Sequence, residues 1–278
     1  MTTRAAPAVG MRLDQWLVAR GLTATREEAQ AAIMAGLVTV DTQRADKPGR
    51  HVGPDAAVVL HGPARPYASR GGIKLAAALD AFTLDVRGRV AVDLGASTGG
   101  FTDCLLQRGA ARVYAVDVGR GQLAWTLRTD PRVVVLEGTN ARFLAPDAVG
   151  GPRELVTADL AFISLRLVWP AIAGLVMPDG DVVVLVKPQF EAGRARVGRG
   201  GVVRDPEVHA AVLEDVLRGA EAHGLVPAGA IPSPITGPAG NIEYLVHLRR
   251  AAPSAARPDV AAVVREAHAR LAPERTRP

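Results

Sequence analysis

The run Asp93-Leu94-Gly95-Ala96-Ser97-Thr98-Gly99-Gly100 ends an apolar stretch in an acid, turns on glycines and leads into Phe101 to Leu106, which reads as a helix. Strand, glycine turn and helix in that order suit a nucleoside-type ligand. Glycine accepts positive φ and lets the backbone approach a ligand with no Cβ in the way. The spacing is Gly-x-x-x-Gly-Gly, with Ser97 where a dinucleotide fingerprint puts glycine, so a pyrophosphate ligand is disfavoured. Asp117 ends the next apolar run, 22 residues after Gly95, where a carboxylate can accept hydrogen bonds from ribose hydroxyls. A glycine-rich structural turn with an incidental helix-capping acid is the alternative.

Four further residues sit at or beside strand ends, where an open α/β sheet puts its chemistry. Asp159 and Lys187 follow apolar runs, Lys74 lies on the helix before Asp93, and Glu243 lies in the last hairpin. Each alone is equally a surface ion-pair residue. From Lys187 to Arg204 the chain carries Lys187, Arg194, Arg196, Arg199 and Arg204 against the single acid Glu191, which fits either a solvated loop or one that touches phosphates.

The elements that must hold these residues follow from periodicity. Apolar runs at Val90 to Leu94, Arg112 to Val116, Val133 to Leu136, Leu155 to Ala158, Asp181 to Val186, Leu225 to Ile231 and Ile242 to Leu248 alternate with helical patterns such as Gly71 to Ala81. This predicts an α/β fold with a Rossmann-like seven-stranded sheet. The link Pro232 to Gly240 is too short for a crossover helix, so the last two strands should be antiparallel.

Ahead of it, residues 11–65 read as a small α+β domain. Leu13, Trp16 and Leu17 form one helical face stopped by Gly21, and Thr25 caps a second helix, with Ala29, Ala32 and Ile33, that ends at Gly36. Val38 to Val40 and Ala56 to Leu60 are its strands. Pro63 and Pro66 mark a boundary, giving a disordered tail over 1–10, a linker over 66–70, the large domain over 71–250 and a tail over 251–278. In that tail Val260, Val263, Val264, Ala267 and Leu271 share one helical face.

Composition excludes several classes. The apolar runs are strand-sized, and Met1 to Gly10 has no apolar signal core, so a soluble, cytoplasmic protein is expected. Cys104 is the single cysteine, read as a small buried helix residue, and the six histidines show no ligand spacing, so no metal is expected. Lys and Arg number 33 against 28 acids, which permits a polyanionic partner without demanding one.

The motifs Ser69-Arg70-Gly71-Gly72-Ile73-Lys74, Gly95 to Phe101, Asp117-Val118-Gly119, Gln122 to Trp125, Thr139 to Arg142, Lys187-Pro188-Gln189-Phe190-Glu191 and Gly240-Asn241-Ile242-Glu243 occur in order. In these, residues 11 to 250 closely resemble the TlyA family of bacterial rRNA methyltransferases, often labelled hemolysins. The resemblance implies an S4-like RNA-binding domain before an FtsJ-like methyltransferase domain that uses S-adenosyl-L-methionine. It also implies 2′-O-methylation of cytidine ribose in ribosomal RNA, 16S and/or 23S; the tail after Arg249 favours members with both targets.

The family's catalytic tetrad falls on Lys74, Asp159, Lys187 and Glu243, with Lys187 expected as general base, Lys74 polarising the ribose oxygen, and the two acids fixing the lysines. Asp93, Gly95, Ala96, Ser97, Thr98, Gly99, Phe101, Asp117 and, as the adenine contact, Asn140 are the expected cofactor residues. Arg12, Arg20, Arg26, Arg70, Arg194 and Arg196 are the expected RNA contacts. The expected partner is ribosomal RNA or a ribosomal subunit, with no membrane or metal, and the chain is expected to act as a monomer. One departure is Ala161, where the family's Asp-Leu-Ser-Phe-Ile-Ser has serine. The alternative function is a non-catalytic RNA- or ribosome-binding protein that retains the fold. A membrane-lytic activity lacks the sequence features it needs, and Ser97 and the closing hairpin disfavour a dehydrogenase.

Overall fold

The computed structural model describes residues 10–23, 25–34, 36–61, 66–250 and 257–271. The chain divides into two compact units, Met1–Pro66 and Tyr67–Pro278. The tail expected over 1–10 (apart from Gly10), Pro63 in the boundary, and residues 251–256 and 272–278 on either side of the last helix lie outside the described residues.

In the first unit β1 (Met11–Arg12), α1 (Leu13–Ala19) and α2 (Arg26–Met34) precede β2 (Val38–Val40), β3 (Gln43–Ala45), β4 (His51–Val52) and β5 (Val58–Leu60). Leu13, Trp16 and Leu17 from α1 meet Ala29, Ala32 and Ile33 from α2 over Val38 and Val40, as their spacing predicts. Thr25 Oγ1 accepts the Glu28 N–H at 3.2 Å, the expected N-cap. Strand β2 is central, with β3 and β5 antiparallel on either side, and β1 pairs with β4. Strands β1, β3 and β4 are not legible in the sequence. The β2–β3 turn places Asp41 and Thr42 at φ 52° and 70°, a mirror-image turn without the glycine that usually announces it.

The second unit runs α3 (Gly71–Ala81), β6 (Val90–Leu94), α4 (Gly100–Gln107), β7 (Arg112–Asp117), α5 (Trp125–Arg128), β8 (Val133–Glu137), β9 (Arg153–Ala158), α6 (Trp169–Leu175), β10 (Val176–Val186), α7 (Pro188–Glu191), α8 (Pro206–Glu221), β11 (Leu225–Pro232), β12 (Tyr244–Arg250) and α9 (Val260–Leu271). Its sheet has seven strands in the order β11-β12-β10-β9-β6-β7-β8, and β12 runs against both neighbours. Alternation along β10 divides the core. Val182, Val184 and Val186 face Trp169, Ile172 and Leu213, while Val183 and Leu185 belong with Leu75, Leu79 and Leu105.

Three boundaries are corrected. Strand β10 starts at Val176 rather than Asp181, with a register shift between those residues, and β12 starts at Tyr244 because Gly237 and Asn241 close a turn before it. Residues 67–70, expected as linker, fold with the second unit, where the Ala68 N–H donates to Asp103 Oδ2 at 2.7 Å. The last helix docks through Val260, Val264 and Ala267, and Cys104 is buried in α4 as its reading required.

The first unit is organised around Asp14, whose buried carboxylate accepts from Arg12 Nε at 3.1 Å, Arg26 Nε at 2.9 Å and Gln30 Nε2 at 3.0 Å. The Arg12 hydrogen bond, followed by those of Gln30 and Arg26, holds this carboxyl well below the usual range against the desolvation that would raise it. Because Arg12 and Arg26 are partly in water, Asp14→Ala should cost about 1–2 kcal/mol, less than a fully enclosed pair. Hydrogen exchange in α1 and α2 should then accelerate roughly tenfold near neutral pH while the second unit is unchanged. The difference should shrink as acid titrates the carboxyl. Unchanged protection of α1 and α2 would show that Asp14 does not anchor the unit.

Candidate active site

The parallel strands β6, β7, β9 and β10 end at one rim of the sheet, where Gly95, Asp117, Asp159 and Lys187 stand at or just past their last residues. Antiparallel β12 begins at that same rim, so Glu243, immediately before it, arrives beside them. The register makes this close, because Val186 pairs with Tyr244. From α3, Lys74 Nζ reaches Glu243 Oε2 at 2.5 Å, and Lys187 Nζ lies 2.5 Å from Asp159 Oδ1.

The two pairs differ in enclosure. Lys74 and Glu243 are sealed, with side chains 8 % and 1 % exposed, whereas Lys187 and Asp159 retain 13 % and 22 %. Asp159 Oδ1 is buried without an aligned hydrogen-bond donor, so its contact with Lys187 is a charge contact able to rearrange.

A cavity of about 450 Å³ opens at this rim, bounded by Gly95, Ser97, Asp117, Asn140 and Asp159 and by an apolar wall from Leu160 to Ile163. Gly95 has φ +84°, and a Cβ there would lie 2.4 Å from the Asp159 carbonyl oxygen, so only glycine allows the loop to lie against β9. Asp117 accepts the Ser97 N–H through Oδ2 at 2.8 Å and the Gly119 N–H through Oδ1 at 2.7 Å, and each oxygen keeps a lone pair for a ribose hydroxyl. This glycine-built cradle with a carboxylate on its second strand fits a nucleoside-bearing cofactor. Asn140 lines the cavity, but its Oδ1 caps the next turn by accepting from Arg142 N at 3.0 Å.

Five expected cofactor residues do not line the cavity. Ala96 and Phe101 are buried in the core, Gly99 is the left-handed cap of α4, and the Thr98 carbonyl accepts the Ala124 N–H. Asp93 is the fifth: fully buried, it accepts Thr102 Oγ1 at 2.7 Å and Thr157 Oγ1 at 3.0 Å, tying α4 to β9 beneath the loop. Conversely, Gln122, Thr139 and Phe162 line the cavity and are not among the expected cofactor residues. Phe162 is 92 % exposed at φ +63°, with its ring 5.2 Å from that of Phe190. An aromatic residue held open in a left-handed conformation has no signal in residue type or period. Ala161, the departure from the family pattern, is also on this wall.

An FtsJ-like methyltransferase model matches residues 67–250, and an S4 domain model matches residues 11–58. The chain is 52% identical over 239 residues to the 16S/23S rRNA (cytidine-2′-O)-methyltransferase TlyA of Mycobacterium tuberculosis, covering 86% of this chain and 89% of that one. It is 52% identical over 238 residues to YqxC of Bacillus subtilis, a candidate rRNA methyltransferase, covering 85% of each. The solved structure of a candidate hemolysin from Streptococcus thermophilus superposes with TM-score 0.75 at 44% identity, covering 96% of this chain and 98% of that one.

The chain belongs to the FtsJ-like methyltransferase family.

Outside the FtsJ-like rim the expected RNA contacts divide. Arg12 and Arg26 are engaged with Asp14, and Arg20 stacks 5.0 Å from the Trp16 ring, all within the S4 unit. Arg70 donates to the Thr236 carbonyl at 3.0 Å, beside the hairpin that carries Glu243. Arg194 and Arg196 are exposed on the loop after α7, where Arg196 Nε donates to the Ala192 carbonyl at 2.8 Å.

Burial pushes the Asp93 carboxyl up to about 7, against the lowering effect of its threonine partners. The folded state therefore binds this proton more tightly than the unfolded chain, where aspartate titrates near ~3.9, and stability falls as pH rises between those values. Asp93→Asn removes the titration from the FtsJ-like domain. Between pH 5 and 8 the variant should lose about 2–3 kcal/mol less unfolding free energy than the wild type, read from urea unfolding at each pH. Parallel profiles would mean that Asp93 is ionised in the folded domain throughout.

Proposed function

We propose that this protein is an S-adenosylmethionine-dependent methyltransferase that modifies the 2′-hydroxyl of cytidine in ribosomal RNA, acting in the cytoplasm on 16S and/or 23S rRNA. The observation that carries the reading is the assembly of Lys74, Asp159, Lys187 and Glu243 into two ion pairs beside the glycine-built cavity. The S4 match and the names of the similar proteins support RNA as the substrate.

When bound, the cofactor supplies an electrophilic methyl group on a sulfonium, and Gly95, Ser97, Asp117 and Asn140 are the residues that would hold it. A ribose hydroxyl is a poor nucleophile until its proton is withdrawn. Lys187 is the base because its pair is the more open one and Asp159 borders the cavity. Withdrawal needs the amine in its neutral form, with Nζ within reach of the hydroxyl. The contribution of Asp159 is the placement of Nζ. Lys74 remains a cation, sealed by Glu243, that polarises the ribose oxygen. Exposed Phe162 supplies a face on which an unstacked base can lie, as in recognition of single-stranded RNA.

The test combines ribose-methylation mapping of rRNA from cells with and without the gene with transfer of labelled methyl groups by purified protein. At least one cytidine should lose its 2′-O-methyl group without the gene. Lys187→Ala should lower transfer at least ~100-fold, within the span of general-base catalysis, while binding cofactor within about threefold of the wild type. Unchanged rRNA methylation overturns the reading, and full turnover by Lys187→Ala overturns the base assignment.

A further inference from the structure

Glu191 ends α7, four residues after Lys187, with only 6 % of its surface exposed. Its Oε2 accepts the Ser164 hydroxyl at 2.6 Å and its Oε1 accepts the Leu165 N–H at 2.9 Å. Its main-chain carbonyl accepts Arg166 Nη2 at 3.2 Å. Ser164 Oγ in turn accepts the Arg166 N–H at 3.2 Å, capping the short turn Leu165–Leu167. A single carboxylate thus fixes the point at which the loop leaving Asp159 turns into α6.

Leu165 and Val168 place that loop in the core it shares with β10, and packing of this kind is non-directional. The β9–β10 ladder ends at Ala158 and Val184, so no strand pairing between β9 and β10 aligns Asp159 with Lys187 beyond it. The ties that replace it are the Lys187–Asp159 ion pair, the Phe162–Phe190 ring contact and the Glu191 bonds. The first lacks hydrogen-bond alignment and the second joins half-buried or exposed rings, which leaves Glu191 as the directional one. Burying a carboxylate is unfavourable unless hydrogen bonds offset it, and burial does push this carboxyl up while Ser164 and Leu165 oppose the shift. An apolar side chain would serve simple packing better.

We propose that Glu191 is a positioning residue for methyl transfer: by holding Ser164 and Leu165 it keeps Asp159 and the cavity wall in register with Lys187. The proposal rests on the reading of Lys187 and Asp159 as parts of the reacting centre. The effect belongs to the transfer step, because the carboxylate touches the loop's far end and not the cradle of Gly95, Ser97 and Asp117.

The test is single-turnover transfer by the full chain to rRNA from cells lacking the gene, at saturating cofactor. Glu191→Ala should slow transfer at least tenfold while cofactor dissociation changes less than about fivefold. Glu191→Gln should recover to within threefold of wild type, because its amide still accepts from Leu165 and can donate to Ser164 Oγ. Ser164→Ala, which removes one of the two bonds, should fall between, and amide exchange across residues 159–166 should rise in the order Gln, Ser164→Ala, Glu191→Ala. Glu191→Ala within threefold of wild type overturns the proposal. So does equal loss in the Ala and Gln variants, or loss in proportion to unfolded protein on thermal melting. Failure of the wild-type protein to transfer at all overturns the underlying reading of the reaction as well.

Discussion

Two lysine ammonium groups at one rim of a sheet repel each other and lose hydration, so neither can stay there without a carboxylate of its own. Much of the second unit's topology answers this requirement. A purely parallel sheet brings Asp159 and Lys187 to the rim by ending adjacent strands there. Glu243 needs a strand that begins where the others end, which antiparallel β12 provides. The division into a sealed pair and a more open one then sets the roles apart. Lys74 is enclosed with Glu243, and the pair of Lys187 with Asp159 keeps more exposure.

The glycine loop is tied into the same rim rather than lying beside it. Gly95 presses against the Asp159 carbonyl, and Asp159 N donates to Leu94 O at 2.9 Å, so loop and strand end move as one. Below them Asp93 receives hydroxyls from α4 and β9, and no ion pair to it is formed among the described residues. An acid at the end of the first strand therefore serves here as a buried strut, while Asp117, at the end of the neighbouring β7, lines the cavity. The absence of glycine at Ser97 is compatible with its φ of 48°, a left-handed conformation held by its backbone bond to Asp117.

What could be read from the sequence follows from where the determining physics lies. Val182 to Val186, the α3 pattern from Gly71 and the Pro232–Gly240 link report local period and length, and the sheet and its closing hairpin follow from them. The tetrad is legible only by resemblance, since Lys74 and Glu243 meet across 169 residues through strand order. Asp93 was read as a ligand contact because its type and place in the loop are the same whether it faces the cavity or the core; only packing against Thr102 and Thr157 separates the two. Glu191 and Phe162 escaped for the same reason: an acid among arginines looks solvated until its burial is known, and a left-handed phenylalanine has no periodic signature.

The S4 unit carries its basic residues on a nearly neutral background. Residues 1–65 carry eight basic and six acidic side chains, so long-range attraction is weak. Asp14 offsets part of the charge of Arg12 and Arg26 and fixes both guanidinium groups, Arg12 through Nε and Nη2 and Arg26 through Nε. An arginine already immobilised loses less freedom when it meets its ligand, and Arg20 against Trp16 is restrained in a similar way. In the proposed reading, affinity for RNA rests on the placement of a few donors more than on net charge.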